Sequence, residues 1–366
     1  MITFAIFFKF NGSSSQFVAN NFIECIKLIK NEKLADEFRL GKGSGLMRNF
    51  KIHWLALLLI GSVLFNTGCP GKEGTLFKNW VTRFGKPPMI SVFIKVNGQK
   101  KQMDIDEYLT GVVAGEMKPG WPLHAYAAQA IIARTFTMEF LGRGGTRALH
   151  GTDISTDEKE AQAYNAAAIT PIIRRAVQMT KGLVLVYKNR YIKGWYSASC
   201  GGVTTYAREG LAYKEPEPPY IKSVTCPEAE VIPKNELYWQ TTLTNADINN
   251  VTKKMNLKPI GTVTKMAILE RSATHRATSL QFTGTQGSVT IPGADFRINV
   301  GPEKVRSIWL SDQIENKPGA IGIKGRGFGH GVGLCQWGSY ALAKSNRSYK
   351  AIVLHYYPKA DVVKIW

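Results

Sequence analysis

The chain reads as an α+β protein: a helical segment bearing the candidate chemistry, packed with antiparallel strands, plus a strand-rich region at about 258–312. Three observations predict this. Residues 123–141 form a long, Ala-rich run of helical period between Pro122 and Gly142. Residues 90–96 alternate and end at Asn97-Gly98, a two-residue hairpin signal, with a second strand over 99–105. Turn residues then punctuate 258–312 at Gly284, Gly287, Pro292-Gly293 and Gly301-Pro302.

Taken in order, the hairpin leads into a helix opened by Asp106-Glu107, with Leu109, Val112 and Val113 on one face and Glu116 near its end. Pro119-Gly120-Trp121-Pro122 breaks the chain before the long Ala-rich helix. A further helix is predicted over 160–181, interrupted or started at Pro171 and ended at Gly182. Residues 183–187 and 191–196 make a strand–turn–strand unit leading to Ser199-Cys200-Gly201-Gly202. After the strand-rich region come a Gly-rich segment, a short helix at 339–344 and a last strand beyond Pro358.

The N-terminal part reads as export machinery. Met47-Arg48-Asn49-Phe50-Lys51 precedes an apolar run at 54–65, and Gly68-Cys69 follows. A short basic stretch, about a dozen apolar residues and a small residue before the cut make a signal peptide, and the run is too short for a membrane span. Residues 47–68 are thus the expected signal, and Gly68-Cys69 resembles the end of a bacterial lipoprotein signal, apart from Asn66, which implies Cys69 lipidated as the mature N-terminus. Residues 1–46 have no place before a signal, so translation is expected to start at Met47, with 1–46 a mis-assigned extension; 70–89 is the expected linker and 90–366 one domain. Of 366 residues, 47 are Lys or Arg and 27 Asp or Glu, a net charge of +20. Such a balance suits a polyanionic neighbour, but the charges are scattered. No nucleic-acid motif is present, and export argues against that partner. Beyond Cys69 the cysteines are Cys200, Cys226 and Cys335. Outside the cytoplasm, Cys200 and Cys226 are the disulfide candidate, closing a modest loop. No C-x-x-C pair occurs, so a zinc ribbon is unsupported.

Three segments stand out for chemistry. In Gly111-Val112-Val113-Ala114-Gly115-Glu116-Met117 a carboxylate sits among apolar residues at a helix end, a setting that keeps its proton toward neutrality. Downstream lie Gln129 and Arg134. In the second segment, glycines alternate at 325, 327, 329, 331 and 333, giving an extended chain one side-chain-free face for close approach of a backbone or a flat ligand. His330 there breaks any G-x-G-x-x-G fingerprint. The third, around His150, offers no further N or S ligands nearby, so no metal and no cofactor are called for.

Gly111-Val112-Val113-Ala114-Gly115-Glu116-Met117, Ala128-Gln129-Ala130 with Ala133-Arg134-Thr135, Cys200-Gly201-Gly202, Gly329-His330-Gly331-Val332-Gly333-Leu334-Cys335-Gln336-Trp337-Gly338 and His355-Tyr356-Tyr357-Pro358 occur in this order over about 90–366. Together they resemble the stage II sporulation protein D, or amidase-enhancer, family. The resemblance implies a lytic transglycosylase of peptidoglycan glycan strands, especially strands stripped of peptide, with Glu116 as the catalytic acid and base. Its alternative is a non-catalytic glycan-binding protein that localises or activates a cell-wall amidase. Some family members bind zinc through a His and two Cys after the long helix. Here His150 matches the His, whereas Ser155 and Ala161 stand at the thiolate positions, which argues against that metal. Gln129, Arg134, His330, Gln336 and Trp337 are the candidates for the cleft wall, where amides and an aromatic face suit a sugar ring. The expected partners are glycan strands, an amidase, and the membrane through the lipid on Cys69.

Overall fold

The computed structural model describes residues 81–366, so the extension, signal peptide and Cys69 lie outside the described residues. The described residues cluster as one compact unit. Strands β1 (Met89–Ile94) and β2 (Gln99–Asp104) form the expected hairpin, closed at Gly98 with a φ of +69°. Asp104 ends β2 and caps the next element, its carboxylate accepting from the Asp106 N–H at 2.7 Å. That element is α1 (Ile105–Glu116). After Pro122 follows α2 (Leu123–Gly142), which is buried on nearly every side, as befits a central helix.

The helix predicted over 160–181 forms only in its second half. After β3 (Ile154–Ser155), which pairs in parallel with β1, residues 163–165 run alongside α1 without helical structure. Helix α3 (Pro171–Met179) starts where Thr170 caps it and Pro171 occupies the first turn. Close packing on α1 decides this. A Cβ on Gly115 would lie 2.7 Å from the Tyr164 nitrogen, and one on Gly111 would lie 2.2 Å from the Tyr164 ring. The Asn165 N–H also donates to the Gly111 carbonyl at 2.9 Å. This docking outweighs the helical propensity of an Ala-rich stretch.

Next come β4 (Leu183–Tyr187) and β5 (Arg190–Tyr191), then β6 (Tyr196–Ser197). Residues 198–237 hold only single-turn helices. A second core is then built from β7 (Tyr238–Thr244), α4 (Asn245–Lys254), the meander β8 (Val263–Arg271), β9 (Ala277–Gly284), β10 (Gly287–Pro292), helix α5 (Gly293–Val300), β11 (Glu315–Lys317) and β12 (Ala320–Arg326). Residues 293–300, expected within the strand-rich region, are thus helical. Pro292-Gly293 is that helix's entry, and a Gly293 Cβ would strike the Ala277 carbonyl oxygen. The chain returns through β13 (Leu334–Cys335), parallel to β6, then α6 (Gln336–Lys344), α7 (Tyr349–Tyr356) and β14 (Asp361–Lys364), which pairs with β4. The expected side-chain-free extended face at 325–333 is not a regular strand. Gly327, Gly329, Gly331 and Gly333 all take positive φ, and they allow close approach; a Gly333 Cβ would lie 2.2 Å from the Trp195 carbonyl oxygen.

Candidate active site

Glu116 is the last residue of α1, half-buried beside a cavity of about 320 Å³. The glycine face of α1 lets segment 163–165 come close enough for the Ala163 N–H to donate to Glu116 Oε1 at 2.8 Å. The Tyr196 hydroxyl donates to the same oxygen at 2.8 Å. Burial raises the Glu116 pKa above the ordinary carboxylate value, and the Tyr196 and Ala163 hydrogen bonds offset part of that rise. Burial, together with the Glu116 charge, also holds the Tyr196 hydroxyl protonated.

Tyr196 has a second acceptor, Gln162 Oε1 at 3.2 Å, and the Gln162 amide is fixed by donating to Thr137 Oγ1 at 3.0 Å. The hydroxyl can therefore donate to an ionised Glu116 or turn to Gln162 when the carboxyl is protonated. Such a pair tolerates both states of the acid, as a group that gives and then takes a proton requires.

The facing wall carries Trp337, Trp121, Gln336, Ser199 and Phe328. Trp121 and Trp337 pack with ring centroids 4.8 Å apart. Gln336 lies beside the Glu116 carboxyl, its amide nitrogen without a hydrogen-bond partner. A second carboxylate, Glu236, lines the cavity and pairs with Lys118, whose ammonium stands 5.4 Å from the Trp337 ring centre. Arg306 belongs both to this cavity and to a larger groove of about 830 Å³ that carries Tyr238, Trp309, Lys234, Lys324 and Arg326. Aromatic faces with cationic groups suit a polymer of sugars bearing acidic groups.

Of the residues proposed from sequence, Glu116, Gln336 and Trp337 meet at this cavity; three others do not line it. Arg134 is fully buried and spends its guanidinium on Asp106 Oδ1 at 2.8 Å and on the Thr180 and Leu183 carbonyls. It is a staple between elements and has no reach toward a substrate. Gln129 is likewise fully buried in α2, its amide unbonded within the protein. His330 accepts the Val332 N–H on Nδ1 and, pushed down to about 3 by burial and the nearby Arg297, is neutral. His150 stacks on Phe93 and bonds Glu160 at 2.7 Å. The Cys200–Cys226 disulfide expected from sequence is not formed: both thiols, and Cys335, are free and buried. No metal was called for from sequence, yet those three sulfurs and the Glu228 carboxylate gather within 4.8 Å of one another. Sequence reasoning missed Tyr196, Gln162, Ala163, Ser199 and Glu236; none sits in a motif with a recognisable spacing to Glu116.

The profile of the family described as Stage II sporulation protein matches residues 96–187, and that of a domain of unknown function matches 228–333. An uncharacterized protein of Brachyspira hyodysenteriae is 30% identical over 303 residues, covering 80% of this chain and 77% of the relative. Stage II sporulation protein D of Bacillus subtilis is 28% identical over 288 residues, covering 75% and 79%. The amidase enhancer of the same organism is 24% identical over 289 residues, 68% of this chain but 39% of that protein.

Proposed function

The chain belongs to the stage II sporulation protein D family, and from that premise we propose that it cleaves peptidoglycan glycan strands as a lytic transglycosylase. The names of its relatives, a sporulation protein and an amidase enhancer, support a role in the cell wall. The observation that carries the reaction is Glu116 itself. It is a carboxyl whose pKa burial raises above the ordinary carboxylate value, held through one oxygen by Tyr196 and Ala163, beside a Trp-walled cavity.

The Glu116 carboxyl gives its proton to the glycosidic oxygen as the C1–O bond breaks, leaving an oxocarbenium-like sugar. The resulting carboxylate takes the proton of that sugar's own 6-hydroxyl, whose oxygen bonds to C1. The products are a 1,6-anhydro end and a free hydroxyl on the leaving strand, and Glu116 is protonated again. An intramolecular nucleophile stands in for both water and a second carboxylate. Peptide-stripped strands incubated with the protein should yield anhydro-muramic ends.

Glu236 favours a second reading, hydrolysis, in which it would activate water opposite Glu116. Reducing ends in place of anhydro ends would select it. Binding without cleavage would select the amidase-enhancing role. The protein is exported and held at the membrane through lipid on Cys69; Cys69→Ser should release it to the soluble fraction or leave an unprocessed precursor, and unchanged retention and processing would overturn the anchor. Among the described residues no helix is long and apolar enough to cross a membrane.

A further inference from the structure

We propose that Cys200, Cys226, Cys335 and Glu228 form a structural site for a thiophilic divalent cation, zinc by the chemistry of its ligands. The four side chains come from three stretches of chain, and their ligand atoms all lie within 4.8 Å of one another. A tetrahedral zinc with sulfur ligands at about 2.3 Å has edges of about 3.8 Å, so small side-chain shifts close this group around an ion. Glu228 already touches two of the sulfurs, Cys335 Sγ at 2.8 Å and Cys200 Sγ at 3.7 Å. Gly338 makes the room: a Cβ there would fall 2.1 Å from Cys226 Sγ.

Two further features fit an anionic metal cluster. Glu228 is fully buried with no salt bridge among the described residues, an arrangement that is costly unless a cation completes it. Three thiolates and a carboxylate around a divalent ion leave excess negative charge, and the surroundings answer it. The Gly338 and Cys200 N–H groups donate to Cys335 Sγ at 3.3 and 3.4 Å, the first from the N-terminus of α6. Arg276, itself buried, is anchored by the Cys200 carbonyl at 2.7 Å and acts on Cys200, Glu228 and Cys335 through its charge. Four protein ligands make a closed, structural site, with no position left for substrate. Its place suggests its purpose. Cys200 follows Ser199 and Cys335 precedes Gln336 and Trp337, so one ion would fasten both sides of the cavity wall across a loop-rich stretch with little regular structure of its own.

The test is zinc content and thiol state of the purified full-length chain, prepared without chelator. We expect about one zinc per chain after gel filtration, with Cys200, Cys226 and Cys335 all alkylated on denaturation with chelator and no reductant, as read by peptide mapping. Cobalt in place of zinc should give a thiolate-to-metal charge-transfer band, reduced by about one third in Cys335→Ser. Should that variant fail to fold, Glu228→Gln keeps three thiolates and the band but should hold zinc about 10–100-fold more weakly. A Cys200–Cys226 disulfide, no stoichiometric zinc after incubation with excess ion, or zinc unchanged in both variants overturns the proposal. Glu116→Gln should keep its zinc whatever becomes of strand cleavage, so this site and the proposed reaction stand or fall separately.

Discussion

Glu116 and Glu228 are both glutamates taken out of water, and the protein treats them in opposite ways. Glu116 closes a helix beside a cavity, with one oxygen held by a tyrosine and a backbone N–H. Glu228 is fully buried, sealed among three thiols. Burial penalises the charged carboxylate in each case. At Glu116 the penalty raises the pKa of a group beside a cavity, which suits the proposed acid; at Glu228 it falls on a carboxylate among three thiols, which suits the proposed cation. What distinguishes an acid from a ligand is what the unfilled side of the carboxyl faces.

The widest separation should appear in strand cleavage. Glu116→Gln keeps shape and hydrogen bonding but cannot move a proton, and should lower the cleavage rate about 10²–10⁴-fold at unchanged glycan affinity. Single-turnover assays with binding measured in parallel check it. Glu139, Asp153 and Asp157, each engaged in ion pairs, are the control carboxylates and should cost far less.

Stability should then divide the pair by sign. Glu228→Gln takes one ligand from the proposed metal cluster and, with zinc held about 10–100-fold more weakly, should cost about 1.4–2.7 kcal/mol in denaturant unfolding of the zinc-loaded chain. Tyr196→Phe should act at the other site alone. Losing that donor destabilises the carboxylate and raises the Glu116 pKa further, so the alkaline limb of the pH–rate profile should move upward while the rate falls about tenfold. The smallest effect is a gain. A carboxyl whose folded pKa is raised contributes fully below its unfolded value, about 4.3, and destabilises as the pH rises through the folded value. Glu116→Gln should therefore be more stable than wild type near neutrality, by about 1.4 kcal/mol per pH unit of that rise, and the difference should close below about pH 4. Urea unfolding at several pH values reads it.

Much of the first site could be read from the chain. Gly111 and Gly115 beside Glu116, the helix ahead of it and Trp337 all carry local signals. The groups that tune Glu116 carry none: Ala163 is 47 residues away and Tyr196 is 80, and both arrive through tertiary docking. The composition of segment 160–165 favours a helix, but packing against two glycines prevails. Arg134 and Gln129 misled for a related reason. A helix buried on nearly every side gives a polar residue no presumption of facing a cleft. The second site was illegible from spacing. Cys200 and Cys335 stand 135 residues apart, and a search for C-x-x-C pairs cannot see ligands that only the fold assembles.

The central claim, that Glu116 alone serves as both acid and base, is tested most directly by the chemistry of the new ends. Peptide-stripped glycan strands digested by the wild-type chain and by Glu236→Gln should be analysed by mass spectrometry. The account predicts anhydro-muramic ends from both, formed at similar rates. Reducing ends from the wild type, lost when Glu236 is replaced, would contradict it.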